Sequence, residues 1–165
     1  DIVLVYQGNI VKSAVTSDST TDKQNNATFG VFMGVQYVNT QGQTVQAQYY
    51  PGNSAATTAI AYVVMDPAAE FKVALTYSGN ATVTACNASV VGSNLQVRQG
   101  TGSATTGDSG VSAVLPVTGT GNAAALPLRC VAVVPETAPT SSTYCELVVK
   151  LNNPQILLAA GTDYV

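Results

Sequence analysis

The sequence predicts an all-β protein: a single antiparallel β-barrel or β-sandwich domain with long loops rich in Gly, Ser and Thr. Short apolar or alternating runs recur along the chain, turn signals separate them, and no long stretch shows the apolar period of an amphipathic helix. Many short strands joined by turns are typical of antiparallel barrels and sandwiches. Because 165 residues suit one domain with a sizeable core, we assign residues 1–165 to one β domain.

The first half of the chain contains several strand candidates. They are the runs DIVLVY (1–6), QGNIVKSAV (7–15, a turn followed by a strand), FGVFMGVQYV (29–38), TVQAQYY (44–50), TAIAYVVM (58–65) and EFKVALTY (70–77). In the third run, Gly30 and Gly34 indicate a bulge or a close backbone approach. The segment NTQGQ (39–43) predicts a hairpin turn into the fourth run, which Pro51-Gly52 closes.

The second half contains further candidates around one long loop. They are ATVTA (81–85), VSAVLPV (111–117), PLRCVAVVPE (127–136) and TYCELVVKLN (143–152). The segment before Gly92 predicts one helical turn. Residues 99–125 are rich in Gly, Ser, Thr and Ala, so we expect a long loop there with one strand-like island. Extended arms are expected at 1–15 and 153–165, and the start at Asp1 without Met suggests that the natural chain is processed or begins earlier.

The composition favours a subunit of an assembly. The chain is 46% hydrophobic but only 9% charged, against roughly 25% charged in an ordinary soluble domain. Its polar surface must therefore come mostly from Thr, Ser, Asn and Gln, which are cheaper to desolvate than ions. Free monomers usually keep more charge for solubility.

Charge and hydropathy exclude two classes of partner. The six Lys and Arg residues are scattered along a chain of formal net charge −3, so no basic patch is expected to bind nucleic acid directly. No apolar stretch approaches the ~18 residues that suggest a membrane span. We therefore expect neither a nucleic acid nor a membrane as partner.

The sequence offers no convincing catalytic, cofactor or metal site. It has no His, which removes the usual general base and the commonest metal ligand. GDSG (107–110) is similar to the segment around the nucleophile of trypsin-like serine proteases, but without a base we interpret it as a turn. GTGNAA (119–124) approximates a dinucleotide fingerprint, yet Pro127 and a strand follow where that motif needs a helix. Asp18 and Asp22 lack the dense ligand spacing of a calcium site.

The pair Asp66-Pro67 interrupts two strand candidates and can be interpreted in two ways. Asp66 and Glu70 form a possible carboxylate pair, which could catalyse hydrolysis if the two groups flanked a cleft. Asp-Pro is also a routine turn opener, and Pro cannot donate to a sheet ladder, so a strand must stop there. We favour a corner between strands, with Phe71 pointing into the core, and we expect the chain not to be an enzyme.

The three cysteines, Cys86, Cys130 and Cys145, have no CxxC spacing. Cys130 and Cys145 lie on two candidate strands and could pair only if those strands are neighbours. We favour buried free thiols, which behave as small hydrophobic side chains.

Four segments, taken in order, resemble a known family. They are a G-V-F-x-G-x-x-Y strand at 30–37, an aromatic-Pro dipeptide at Tyr50-Pro51, a D-P-x-x-x-F corner at 66–71 and a closing V-K-x-N strand at 149–152. The order resembles capsid-associated proteins of tailed bacteriophages, known as decoration or cement proteins. YQGNIV (6–11) also resembles the early Y-x-G-x-x-V strand of that family, whose members usually carry an extra N-terminal segment. The cysteines and NAAALP (122–127) are not part of the family pattern.

The resemblance implies a non-enzymatic structural protein without cofactors. It implies homotrimers that bind the major capsid protein on the outer face of an icosahedral head and brace adjacent capsomers against the pressure of packaged DNA. The chain is then expected on the outer surface of the virion, and in the host cytoplasm during assembly.

We expect assembly contacts from the termini, from the polar loops at 16–28 and 99–125, and from one pair of tyrosines. The residues assigned to this interface are Ile2, Val3, Leu4, Tyr6, Tyr49, Tyr50, Ile156, Leu157, Leu158 and Tyr164. Two alternatives remain open. A secreted filament or pilus-like subunit could donate the apolar strand DIVLVY to its neighbour. A carbohydrate-binding or carbohydrate-active β domain would use exposed Tyr platforms, because the chain has eight Tyr and no Trp.

Overall fold

The computed structural model confirms the all-β class. It describes residues 1–6, 9–12, 29–52, 58–76, 88–100, 102–103, 105–115, 126–137 and 145–152. The strands are β1 (Ile2–Tyr6), β2 (Asn9–Lys12), β3 (Gly30–Val38), β4 (Thr44–Ala47), β5 (Ala59–Val64), β6 (Glu70–Thr76), β7 (Asn94–Gln99), β8 (Val111–Val114), β9 (Leu128–Val133) and β10 (Cys145–Leu151). Short 3-10 turns span Ala88–Val90 and Pro135–Thr137.

Five strands close into a barrel in the order β10-β6-β8-β7-β9. All pairs are antiparallel except β6 with β8, which run parallel. Buried and half-buried residues alternate along the whole of β10, so one side of this strand faces the barrel core. Leu147 and Val149 point inward on β10 and are almost completely buried.

The barrel encloses a contiguous apolar core. Its buried members are Ile2, Leu75, Val90, Leu95, Val97, Ala113, Leu128, Cys130, Cys145, Leu147, Val149 and Leu151. Branched aliphatic side chains predominate, as expected for the inward positions of a small barrel whose interior is filled by side chains. Val90 reaches this core from the 3-10 turn predicted before Gly92, which the structure confirms.

The remaining strands form a second sheet, the outer sheet, in which β3 is the central strand. One edge of β3 pairs with β5, and the other pairs first with β1 and then with β4. Register shifts between Phe32 and Gly34, so the expected bulge is present. A Cβ atom on Gly30 would lie 2.5 Å from the Val64 carbonyl oxygen, which confirms the expected close approach.

The outer sheet joins the barrel at its N-terminal end. The side chains of Ile2 and Val31 pack against the barrel core. The ammonium group of Lys12 donates to the Gly100 carbonyl oxygen over 3.2 Å. The hydroxyl of Ser109 donates to Asp1 Oδ1 over 2.9 Å. Apolar packing and polar contacts thus fix the sheet beside the hairpin that connects β7 to β8.

Two expectations for the ends of loops and arms need correction. An extended arm does not form over 1–6 and 9–12, because β1 and β2 pair as a hairpin and β1 also pairs with β3. The loop expected to begin at residue 99 begins one residue later, because a strand that the sequence did not predict, β7, extends through Gln99. The expected island in that loop is β8, a barrel strand, whereas the arm at 153–165 and the candidate strand at 81–85 lie outside the described residues.

The structure confirms that Asp66-Pro67 forms a corner between strands. It connects β5 to β6, and the backbone N–H of Ala69 donates to the Asp66 carbonyl oxygen. The Asp66 carboxylate accepts the backbone N–H of Ala68 at 2.8 Å, the geometry by which an Asx turn stabilises a bend. Phe71 is half-buried and packs against the barrel core, as expected.

This corner gives a first testable prediction. Asp66→Ala removes the acceptor for the Ala68 N–H, and we expect it to lower the free energy of unfolding by about 1 kcal/mol. Asp66→Asn keeps an oxygen acceptor in the same place and serves as the matched control, with a change of about 0.5 kcal/mol or less. Urea denaturation measures both changes. Equal losses in the two variants would contradict the assigned role of the side-chain oxygen.

Candidate interaction surface

The outer sheet contains no charged residue in three of its five strands. From residue 24 to residue 65 the sequence has no Asp, Glu, Lys or Arg, and this stretch includes the whole of β3, β4 and β5. Both faces of this part of the sheet therefore carry only apolar and uncharged polar side chains. Such a surface loses little hydration free energy when a partner covers it.

Exposed apolar side chains are concentrated on the same sheet. The large hydrophobic residues exposed among the described residues are Ile10, Met33, Tyr49, Tyr50, Ile60, Tyr62, Met65 and Val91. Only Val91 in this set belongs to the barrel side of the molecule. Single exposed apolar residues need no explanation, but a concentration on one element indicates an interaction surface.

One face of the outer sheet presents a row of amide and aromatic side chains. The Gln36 side-chain oxygen accepts hydrogen bonds from the Tyr62 hydroxyl at 3.0 Å and from the Gln46 side-chain amide at 3.4 Å. Ile60 lies directly opposite Gln36 in the β3–β5 register, so its side chain is on this face too. Ile60 and Tyr62 keep 54% and 47% of their surface exposed.

The other face of the outer sheet forms one wall of a groove of about 890 Å³. Apolar residues of the sheet line it, namely Val3, Ile10, Phe32, Met33, Val35, Ala59 and Ala61. The hairpin between β7 and β8 supplies the opposite wall through Gly102, Ser103, Gly107, Asp108 and Ser109. Polar residues on the sheet side, namely Asp1, Asn9, Lys12 and Gln48, also line it. The groove thus combines apolar and polar groups, a combination suited to binding a partner segment.

Two tyrosines close one end of this groove. A Cβ atom on Gly107 would lie 2.8 Å from the Tyr49 ring, so the absence of a side chain at Gly107 lets that ring approach the hairpin. The neighbouring Tyr50 packs edge to face on Tyr37, with ring centroids 5.8 Å apart. Tyr49 and Tyr50 are nevertheless both exposed and offer ring surface to a partner.

Charged residues of the barrel are, by contrast, partly paired with one another. Lys72 contacts Glu146 at 2.5 Å and Lys150 contacts Glu70 at 3.4 Å, both between β6 and β10. These pairs are exposed and contribute little to stability. They give the barrel a hydrated exterior, which distinguishes it from the uncharged part of the outer sheet.

Polar groups at the groove are hydrogen-bonded or ion-paired with one another. Ser109, from the GDSG segment, directs its hydroxyl hydrogen to the Asp1 carboxylate. Lys12 forms an ion pair with the same carboxylate at 3.4 Å. Asp66 and Glu70 are exposed at the corner and contribute nothing to the lining of the groove. Within the described ranges, no three His, Cys, Asp or Glu side chains are placed to hold a metal ion.

The cysteines differ from the prediction in part. Cys130 is a buried free thiol as predicted, and its burial raises the pKa of the thiol, so it stays protonated and unreactive at neutral pH. The prediction is wrong for Cys145, which is disulfide-bonded. The two lie on neighbouring strands, but Cys145 pairs with Leu75 and Cys130 with Val149 across the ladders. Cys86 lies outside the described residues.

The predicted interface residues fall into four groups. Ile2 and Val3 are buried within the chain at 5% and 4% exposure, because β1 pairs on both sides. Ile2 enters the core and is therefore corrected to a packing residue of this fold, whereas Val3 lines the groove. Leu4 and Tyr6 lie in β1 opposite Val11 and Asn9. Tyr49 and Tyr50 are exposed at the groove. Residues 16–28, Ile156, Leu157, Leu158 and Tyr164 lie outside the described residues.

Sequence reasoning did not single out Met33, Ile60 or Tyr62. The absence of charged residues from 24 to 65 could have indicated them, because the strands in this segment have only uncharged polar side chains on their polar face.

No helical segment in the described part of the chain has the length and hydropathy needed to cross a membrane. Comparison with protein-family models, with curated proteins and with solved structures finds no match to this chain.

Proposed function

We propose that this protein is a virion structural protein that decorates the outer surface of a tailed-phage head by binding the major capsid protein. The observation that carries the proposal is the uncharged part of the outer sheet, strands β3, β4 and β5, with exposed aromatic and aliphatic side chains beside a groove that is partly apolar. The resemblance of four ordered segments to decoration proteins supplies the identity of the partner.

A decoration protein must bind strongly to a large, preformed surface without covalent chemistry. Burying an ion requires stripping its hydration shell, whereas covering amide and aromatic side chains costs much less if their hydrogen bonds are replaced. Cores of protein interfaces are accordingly depleted of charged residues and enriched in Tyr and Met. Met33, Tyr49 and Tyr50 fit this composition, and all three line the groove.

We assign the contact with the capsid protein to the groove side of the outer sheet. Met33 is 58% exposed there, and Ile10 and Tyr50 are exposed beside it. A capsid segment in the groove would pack on the apolar wall and place its backbone polar groups against Ser103 and Ser109 on the other wall. Homotrimers on the head surface belong to the same proposal.

The pairing of β1 gives the filament hypothesis less support than the capsid hypothesis. Strand donation required an apolar terminal strand that is free to leave its own subunit. In this fold β1 pairs with β2 along one edge and with β3 along the other, and Ile2 is part of the core. We therefore rank a filament subunit below a capsid protein.

The test uses heads from a phage that encodes this chain, compared with heads from which the gene has been deleted. We expect undecorated heads to release their DNA at a lower temperature than decorated heads, because the decoration braces adjacent capsomers. Release is followed by the fluorescence of a DNA dye during heating. Adding the purified chain to deletion heads should restore the higher temperature.

Variants then locate the contact. Met33→Glu and Tyr50→Glu each place a charge on the groove side, and each should weaken binding to heads about tenfold or more, because a buried unpaired charge is costly. Val91→Glu adds the same charge at an exposed position of the barrel side and serves as the matched control. Identical release curves with and without the chain would refute the decoration role. Equal binding by all three variants would refute the groove contact but not the decoration role.

A glycan is the second candidate ligand, because Tyr49, Tyr50 and Tyr62 are exposed in and beside the outer sheet. Sugar rings can stack on such faces. A glycan array with the wild-type chain and with Tyr50→Ala decides this question. Binding that the substitution abolishes would favour the glycan over the capsid protein.

A further inference from the structure

Strand β5 forms an edge of the outer sheet. Ala59–Val64 pairs with β3 along one side, and no strand in the described ranges pairs with its other side. An unpaired strand edge presents backbone N–H and C=O groups that can template another strand. The identity of the residues along this edge decides whether a strand can be added.

The backbone direction of each residue on β5 follows from one hydrogen bond. The Thr58 carbonyl oxygen accepts the N–H of Val38, so the backbone of Thr58 faces β3. Backbone groups alternate between the two edges along a strand, and the bulge lies on β3 rather than on β5. Ala59, Ala61 and Val63 therefore direct their N–H and C=O groups toward the open edge.

The residues of β5 themselves carry none of the features by which edge strands usually prevent strand addition. Natural edge strands are protected by charged side chains, by Pro or by bulges. The segment 58–65 contains no charged residue and no Pro, and β5 itself is regular. Its large exposed side chains, Ile60 and Tyr62, are β-forming.

We propose that the open edge of β5 pairs with β5 of a second copy of this chain, antiparallel and around a two-fold axis at Ala61. In this register Ala61 of one copy lies opposite Ala61 of the other, and Ala59 lies opposite Val63. All these residues direct their backbone groups outward, so the pairing satisfies them in reciprocal hydrogen-bonded pairs. The contact is isologous, which closes at two copies.

Side-chain complementarity selects this register over its neighbours. Antiparallel pairing around Ala61 places Ile60 of each copy directly opposite Tyr62 of the other. Aromatic residues opposite β-branched residues are among the favourable cross-strand pairs. The nearest charged residue, Asp66, follows β5 in each copy, so the two carboxylates lie at opposite ends of the paired strands and do not repel.

The pairing joins the two outer sheets into one continuous sheet. It uses the strand edge and the face with Ile60 and Tyr62, and it leaves Met33 and Tyr50 on the groove side free for a different partner. Ala59 and Ala61 also line the groove, so the two-fold contact adjoins the proposed capsid contact but does not use its large side chains. If three-fold association also occurs, the β5 contact links trimers pairwise.

The register is tested by cysteine cross-linking of the purified chain, with Cys130→Ala as background. Ala61→Cys should form a disulfide-linked dimer under mild oxidation, because Cα atoms in a hydrogen-bonded antiparallel pair lie about 5.5 Å apart. Ala59→Cys alone should not cross-link, since its two copies lie roughly 13 Å apart along the strands. A mixture of Ala59→Cys with Val63→Cys should form the mixed dimer.

The edge itself is tested by proline substitution and sedimentation. Ala61→Pro removes an outward N–H without removing a bond to β3, and it should raise the dimer dissociation constant at least tenfold. Gln46→Pro is the matched control on the edge of β4: Asn39 donates to the Gln43 carbonyl oxygen, so by alternation the backbone of Gln46 also points away from β3. It should leave the dissociation constant unchanged.

The outcomes separate clearly. The expected cross-linking pattern, together with dimers lost only in Ala61→Pro, supports the β5 contact. A chain that is monomeric at tens of micromolar, or Ala59→Cys dimers without Ala61→Cys dimers, overturns it. Circular dichroism checks that Ala61→Pro folds, and if it does not, the cysteine pattern alone decides. No heads are used, so failure here leaves the decoration role to its own test.

Discussion

Replacing Leu147 with Ala is expected to lower the free energy of unfolding by about 2–5 kcal/mol. Leu147 is fully buried in the centre of β10, between β6 and β9. Truncation removes apolar contacts and leaves a cavity that a closed barrel cannot collapse to fill, because hydrogen bonds on both sides hold its strands. Chemical denaturation followed by circular dichroism measures the change.

The neighbouring residue provides the control. Val148 lies on the same strand but is only half-buried, since it points to the outside of the barrel. Val148→Ala removes less buried surface and should cost about 1 kcal/mol or less. If the two substitutions had equal effects, the inward and outward positions of β10 would be assigned incorrectly.

The second large effect is expected at Gly30, where Gly30→Ala should cost about 1–3 kcal/mol. The added Cβ would lie 2.5 Å from a methyl carbon of Val63 and 2.5 Å from the Val64 carbonyl oxygen. Both distances are shorter than a van der Waals contact, so β5 must shift away from β3 to accommodate the added carbon. The thermal midpoint and the denaturation midpoint should both fall.

A double substitution separates the two contacts. Val63→Ala removes the methyl carbon but leaves the carbonyl oxygen in place, so it should rescue Gly30→Ala only in part. The cycle of Gly30→Ala, Val63→Ala and the double variant gives the coupling free energy. Full additivity would show that Val63 does not oppose a side chain at Gly30.

The sequence could predict two kinds of element: strands with one side in the core and the other in solvent, and turns formed by their own residues. Strand β10 alternates strictly because one side faces the core and the other faces solvent, and its prediction at 143–152 contains the observed strand. The turn at 39–43 was predictable because its residues form it locally. Asn39 Oδ1 accepts the backbone N–H groups of Gln41 and Gln43, and Gly42 supplies a positive φ of 80°.

Strand β7 was not predicted because its buried residues do not alternate with exposed ones. Leu95, Gln96 and Val97 are all buried, so a polar side chain occupies a covered position between two apolar ones. A buried Gln in a sequence looks like an exposed Gln, and a segment with two apolar residues was too short to indicate a strand. Only the tertiary fold reveals that both sides of β7 are covered.

The candidate site was predictable only in its chemical character. Low charge indicated an assembly surface, and Tyr49 and Tyr50 were among the residues assigned to it. The groove could not be predicted, because its two walls come from strands of the outer sheet and from a hairpin between two barrel strands. Periodicity along one segment contains no information about such a long-range approach.

The pairing of β6 with β10 determines when the barrel can close during synthesis of the chain. Residues 70–76 close the barrel only by hydrogen bonding to 145–151, which are synthesised much later. Contacts between such distant segments make folding slow, because a long loop must close before the core forms. A nascent or truncated chain without β10 lacks one wall of the barrel. Synthesis of β10 is thus required before the barrel against which the outer sheet packs can close.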